Sequence, residues 1–167
     1  MRASLARVAR WIVPEENPSG VVYGIIVIGA LLAAESGRHE SYLDTIASAA
    51  IATALYWLAH AYADVLGERL ARHERLSASA LGRALAHDWA IVRGAALPLA
   101  VLALAWVAGA TQQTAVTAAL WSAIVSLVAF ELIAGVRSRA SPRELALEGA
   151  VGATMGIAIL ALKIVLH

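Results

Sequence analysis

The amino-acid sequence predicts an all-α, polytopic membrane protein with five transmembrane helices in a single membrane domain. Of its 167 residues, 60% are apolar and only 15% are charged, with a mean hydropathy of +0.72. A soluble domain has about half apolar and about a quarter charged residues. The apolar residues also form continuous blocks, several of them long enough to cross the ~30 Å hydrocarbon layer. Transmembrane β-strands would instead show alternating apolar and polar residues over runs of about ten residues.

The five predicted spans follow one another with short connections. They cover about residues 18–35, 45–67, 89–110, 115–136 and 145–166. The first span is short, and it reaches its length only because Pro18 fits the first turn of a helix. The longest connection, residues 68–88, reads as helix with a break at Ser77 to Ser79, since serine is a favoured residue at a helix start.

Residues 1–14 predict a short amphipathic helix on the membrane surface. Its apolar face carries Leu5, Val8, Trp11 and Ile12, and its other face carries Arg2, Arg7 and Arg10. Such a helix lies in the headgroup layer and binds anionic lipid through its arginines. A solvated tail is the alternative interpretation.

The basic residues predict the orientation. They accumulate in the N-terminal segment, in residues 68–88 and between the fourth and fifth spans. Because short cytoplasmic connections are enriched in Arg and Lys, five spans place all three groups in the cytoplasm. The N-terminus is then cytoplasmic, and the C-terminus is external. The Arg- and Ala-rich composition is typical of a bacterial source, so we expect the bacterial cytoplasmic (inner) membrane.

Composition and motifs argue against several classes of function. The chain has no cysteine for a disulfide or a thiolate metal site. Its net charge of +1 gives no basis for nucleic-acid binding. The sequence lacks HExxH, a nucleophile elbow and a glycine-rich phosphate loop. We therefore do not expect an enzyme.

Ionisable residues within the spans are the candidate functional residues, because such residues are costly in lipid. Tyr56, His60, Asp64 and Glu68 recur every four residues and so share one helical face. The topology brings side chains from the other four spans to the same depth: Tyr23, Arg93, Glu131 and Glu148. These residues predict a polar chamber that faces the cytoplasm.

Carboxylates and imidazole suit two transport functions, the movement of divalent cations and the movement of protons. They bind divalent cations, and His60, Asp64 and Glu131 are the candidate metal ligands. They also relay protons. The leading interpretation is therefore a small transporter or channel for a divalent metal ion or protons. The alternative is a non-transporting scaffold or partner subunit, in which Arg93 forms a structural ion pair with Glu131 or Asp64.

The layout of the chain resembles the vacuolar iron transporter family of divalent-metal exporters. Two spans, a charged helical connection and three further spans ending in SPRELALEGAVGATMGIAILALKIV carry this resemblance. It implies a homodimer with a pathway lined by the first two spans. The family's first span opens with an Asp-Gly pair where this chain has Asn17 to Gly20, so iron transport itself does not carry over. The stretches YGIIVIGALLAAE and AHAYADVLGERL also resemble small bacterial membrane proteins without a known function.

Overall fold

The computed structural model describes residues 17–35, 41–73, 75 and 77–166. The predicted surface helix of residues 1–14 lies outside these ranges. The described residues form six α-helices and no strand. The helices are α1 (Pro18–Glu35), α2 (Tyr42–Arg72), α3 (Ala78–His87), α4 (Trp89–Val107), α5 (Gln112–Arg137) and α6 (Pro142–Leu166). The all-α prediction is confirmed.

Four helical stretches are long and apolar enough to cross a membrane. They are Tyr42–Arg72, Ala78–Val107, Gln112–Arg137 and Pro142–Val165, of which the second joins α3 to α4. Helix α1 is also apolar, but it is shorter. This apolar bundle is compatible with a multi-pass integral membrane protein. The five-span count and the orientation stay predictions.

Polar side chains define where the helices begin and end. Ser41 and Asp44 form a capping box at the start of α2, and the side chain of Thr111 accepts a hydrogen bond from the backbone at the start of α5. Helix α2 ends at Arg72, and the capping residue His73 that follows has a left-handed φ of 56°. Ser77 caps α3 through the backbone N–H of Ala80. A new helix therefore begins at the serine where the sequence predicts one.

Helices α1 and α4 approach so closely that their backbones touch. A Cβ atom added to Gly24 would lie 2.0 Å from the carbonyl oxygen of Ile91, and one added to Gly94 would lie 2.2 Å from that of Val21. Glycine permits this approach because it has no side chain. Helix α1 is consequently a central element, with Ile28 fully buried.

Glycines spaced four residues apart on α1 and on α6 pack within the chain itself. Gly20 faces Ala90 of α4, which lies 2.9 Å from the Cβ that Gly20 lacks. On α6, Gly152 faces Glu131 and Gly156 faces Ile124, both on α5. Close packing of helices in lipid depends on such small residues. All of these glycines thus serve contacts inside the bundle.

Contacts at the helix ends show that the long helices α1, α2, α4, α5 and α6 alternate in direction along the chain, so that α1 and α4 run parallel. At one end, Tyr42 donates a hydrogen bond to the carbonyl of Ala110, and Lys163 donates to Thr117 Oγ1 at 3.0 Å. At the other end, Asn17 contacts Asp88. This second end, which we call the basic end, carries the arginines Arg69, Arg72, Arg75, Arg83, Arg137, Arg139 and Arg143.

Candidate metal centre

Three potential metal ligands converge near the basic end of the bundle. His60, Asp64 and Asp88 each offer one ligand atom, and these atoms all lie within 4.8 Å of one another. His60 and Asp64 are four residues apart on α2, so they share one face of the helix. Asp88 occupies the single-residue joint between α3 and α4. The donors therefore come from two separate parts of the chain.

Asp88 is the most deeply buried member of this group. Its side chain is only 1% exposed. One carboxylate oxygen, Oδ1, accepts a hydrogen bond from Asn17 Nδ2 at 3.1 Å. The other, Oδ2, is buried without a hydrogen-bond partner among the described residues. An unsatisfied buried polar atom costs about 1–3 kcal/mol, and more when it is charged. A cation bound by the three ligands would remove this cost.

Asn17 holds Asp88 in place through the start of α1. Its Oδ1 accepts hydrogen bonds from the backbone N–H of Gly20 at 2.8 Å and from Ser19 Oγ at 2.9 Å, which is the role of an N-cap residue. Its Nδ2 is then directed to Asp88 Oδ1 and to the carbonyl of His87 at 3.2 Å. Hydrogen bonds of this kind orient metal ligands and tune their affinity.

Aromatic rings hold the imidazole of His60. The ring centroid of Tyr56 lies 5.9 Å from that of His60, with an interplanar angle of 19°. The Tyr23 ring of α1 lies 5.5 Å away on a tilted plane. Asp64, by contrast, is exposed. One side of the group, at Asp88, is thus buried, and the other side, at Asp64, is exposed.

A tryptophan fixes α2 beside the joint that carries Asp88. Trp57 Nε1 donates a hydrogen bond to the carbonyl of Leu85 at 3.0 Å. The Trp57 ring also meets the Trp89 ring edge-on, with 5.2 Å between their centroids. Because Trp57 precedes His60 by one helical turn, these contacts set the distance between the ligands of α2 and Asp88.

The cluster borders a cavity of about 480 Å³ between α2 and α3, which is open on one side. Its lining residues are Asp64, Val65, Glu68, Arg72, Ala80, Arg83, Ala84, His87 and Asp88. A water molecule occupies about 30 Å³ in the liquid. The cavity therefore has room for the waters that would complete the coordination of a cation held by three protein ligands.

The ligand chemistry favours a divalent transition metal. Imidazole suits zinc, copper, iron and nickel, while carboxylates suit magnesium, calcium and manganese. One imidazole with two carboxylates is a mixed set that binds ions such as Mn²⁺, Fe²⁺ or Zn²⁺. A pure carboxylate site would favour Ca²⁺ or Mg²⁺ instead.

Several residues singled out from the sequence lie at or near this cluster. His60 and Asp64 are members, Tyr23 and Tyr56 contact the His60 ring, and Glu68 lines the cavity. Asp88 takes the position for which the sequence suggests Glu131. It stands directly before the third predicted span, next to His87. The sequence places Asp88 in the connection between the second and third spans, which could supply ligands from below the membrane or form a basic surface facing anionic lipid. It does not select Asp88 as a ligand, because the contact with α2 is tertiary.

Glu131 lies at a different interface, between α5 and α6. It packs over Gly152, while Glu148 packs over Gly135. Each glutamate precedes a glycine by four residues on its own helix, so the two helices exchange equivalent contacts. Glu148 Oε2 is buried without a hydrogen-bond partner among the described residues. Glu131 is outside the group formed by His60, Asp64 and Asp88.

Arg93 is the remaining candidate from the sequence. It is half-buried on α4, one turn after the joint at Asp88. Within the described part of the chain its Nε atom has no hydrogen-bond partner. The predicted ion pair of Arg93 with Glu131 or Asp64 is not among the interactions of the described residues.

Comparison with known proteins gives no family for this chain. No protein-family model matches it, and neither a curated protein nor a solved structure matches it significantly. The resemblance to the vacuolar iron transporters therefore stays a prediction from layout.

Proposed function

We propose that this protein is a multi-pass membrane protein that binds a divalent transition-metal cation at His60, Asp64 and Asp88 and carries it across the bilayer. One observation supports the proposal above all others. Three ligand atoms of suitable type lie within 4.8 Å of one another, and the buried Asp88 offers them an oxygen without a hydrogen-bond partner in the described chain. Ionisable residues at such positions in membrane helices mark ion pathways.

The distribution of arginines supports a cytoplasmic entrance. The basic end contains arginines from the ends of α2 and α5, from the start of α6 and from α3. By the preference of Arg and Lys for the cytoplasmic side, this end faces the cytoplasm. The cluster and its cavity lie at the same end, so the cation would enter or leave the site there. In this proposal α1 is a fifth span.

Metal uptake by proteoliposomes tests the proposal. The purified chain is reconstituted, and Mn²⁺ or Zn²⁺ entry is followed with an enclosed fluorescent indicator. We expect uptake above that of empty liposomes, with at least a 10-fold lower rate for Asp88→Asn. Glu131→Gln is the matched control, because it neutralises a half-buried carboxylate on another helix, and it should retain the wild-type rate.

Two outcomes would contradict the proposal, the first for transport and the second for the site. If wild-type protein shows no uptake in either direction, the chain does not move these ions, and a scaffold role is favoured. If Asp88→Asn and Glu131→Gln lower uptake equally while both remain folded, the cluster is not the specific site. Circular dichroism of each variant in detergent provides the folding control.

A further inference from the structure

The cavity beside the metal cluster also contains groups that a metal ion does not need. Arg72 from α2 and Arg83 from α3 line it together with Asp64 and Asp88. Both arginines belong to the described chain, and neither makes an ion pair with a carboxylate there. An unpaired guanidinium offers five N–H donors in a plane, which match the oxygens of phosphate and carboxylate.

The size of the cavity is larger than a hydrated ion requires. Three protein ligands leave about three positions for water around a six-coordinate cation. These waters occupy about 90 Å³ at their volume in the liquid, whereas the cavity measures about 480 Å³. The open cavity lined by both arginines therefore has room for a group of the size of phosphate as well.

The charges of the residues that line the cavity couple binding of the cation to binding of an anion. Three carboxylates and two guanidinium groups line the cavity, so its formal charge is −1 with His87 neutral. An anion is therefore disfavoured while the metal cluster is empty. A bound divalent cation changes the formal charge to +1 and attracts an anion, and by linkage the anion strengthens binding of the cation.

We infer that the α2–α3 cavity binds a phosphate-type oxyanion between Arg72, Arg83 and the cation. This inference rests on the proposed metal site, which supplies the charge that makes anion binding favourable. The oxyanion has two possible sources with the same chemistry, free inorganic phosphate and the phosphoryl group of a lipid. Helix α3 fits either source, because it lies at the basic end with exposed polar residues such as Arg83 and half-buried Leu81 and Leu85.

Calorimetry on the full chain in detergent tests this inference in two steps. Mn²⁺ is titrated first, and inorganic phosphate is then titrated with and without saturating Mn²⁺. We expect phosphate to bind at least 5-fold more tightly with Mn²⁺ present. Arg83→Gln should lose this binding, while Arg69→Gln, an exposed arginine on α2 outside the cavity, should retain it. Asp88→Asn, in which Mn²⁺ binding to the protein should be weakened, is the control for direct association of Mn²⁺ with phosphate in solution.

The source of the oxyanion is decided by a second titrant, dihexanoyl phosphatidic acid below its critical micelle concentration. Binding of both titrants that depends on Mn²⁺ and Arg83 supports free phosphate as a sufficient ligand. The same dependence for the lipid alone supports a headgroup. If Mn²⁺ binds but neither titrant binds more tightly than in Arg83→Gln, the inference is wrong and the metal site stands. If Mn²⁺ itself does not bind, the proposed function is wrong.

Discussion

Asn17 joins the first turn of α1 to the most buried residue of the candidate metal centre. Its Oδ1 caps α1 at the backbone N–H of Gly20, and its Nδ2 donates to Asp88 Oδ1 at 3.1 Å. The residue is only 6% exposed, so water cannot readily replace either bond. The position of α1 and the orientation of the Asp88 carboxylate are therefore coupled through one side chain.

Two substitutions of Asn17 should separate its two roles. Asn17→Ala removes both the cap and the bond to Asp88, so we expect a loss of about 0.5–2 kcal/mol in stability and about 10-fold weaker metal binding. Asn17→Ser keeps an N-cap oxygen but is too short to hold Asp88. It should lose metal affinity with little loss of stability. Thermal unfolding and Mn²⁺ calorimetry measure the two effects, and equal metal affinity in Asn17→Ser and wild type would contradict the positioning role.

The contact between α1 and α4 should not tolerate a methyl group. In Gly24→Ala and Gly94→Ala the new Cβ would collide with a carbonyl oxygen of the other helix. Because a backbone cannot rotate away as a side chain can, we expect each change to cost at least about 1–3 kcal/mol. The measurement is the thermal unfolding midpoint in detergent.

Gly67→Ala and Gly82→Ala are the matched controls for these glycines. An added Cβ has nothing within 4 Å at either position. Alanine favours a helix over glycine by about 0.5–1 kcal/mol, so these variants should be as stable as wild type or more stable. Destabilisation of all four variants to the same extent would contradict the close approach of α1 and α4.

Trp57 should hold α2, which carries His60 and Asp64, beside Asp88. Trp57→Phe keeps an aromatic ring but removes the hydrogen bond to Leu85, so we expect a loss of about 0.5–1.5 kcal/mol in stability and weaker Mn²⁺ binding. Trp121→Phe is the control, because Trp121 is 52% exposed on α5 and should change neither quantity. Unaltered metal affinity in Trp57→Phe would show that the ligands of α2 are placed independently of this bond.

Much of the fold can be predicted from apolar blocks and local signals in the sequence. Apolar blocks of about 20 residues must form helices in a bilayer, since only a helix or a closed barrel satisfies the backbone there. Local signals then locate the helix ends, as Pro18 does for α1 and Ser77 for α3. Both kinds of signal lie within one continuous stretch of the chain, so the sequence predicts them without knowledge of tertiary contacts.

The site follows from the sequence only in part. The spacing of Tyr56, His60 and Asp64 places them on one face, because they belong to one helix. The third ligand depends on which residue of another helix faces them. Depth favours Glu131, which the sequence places within a span at the level of His60, whereas it places Asp88 in a connection. The position of Asp88 beside α2 depends on the hydrogen bonds of Asn17 and Trp57, which cross from one helix to another.

The most direct test of the proposed site is Mn²⁺ binding by the purified chain, compared between Asp88→Asn and Glu131→Gln. Both changes replace one carboxylate by an amide of the same size. We predict at least about 10-fold weaker binding, or ~1.4 kcal/mol, for Asp88→Asn, and an affinity within about 2-fold of wild type for Glu131→Gln. Wild-type affinity in Asp88→Asn, or loss of binding in Glu131→Gln alone, would contradict a metal centre formed by His60, Asp64 and Asp88.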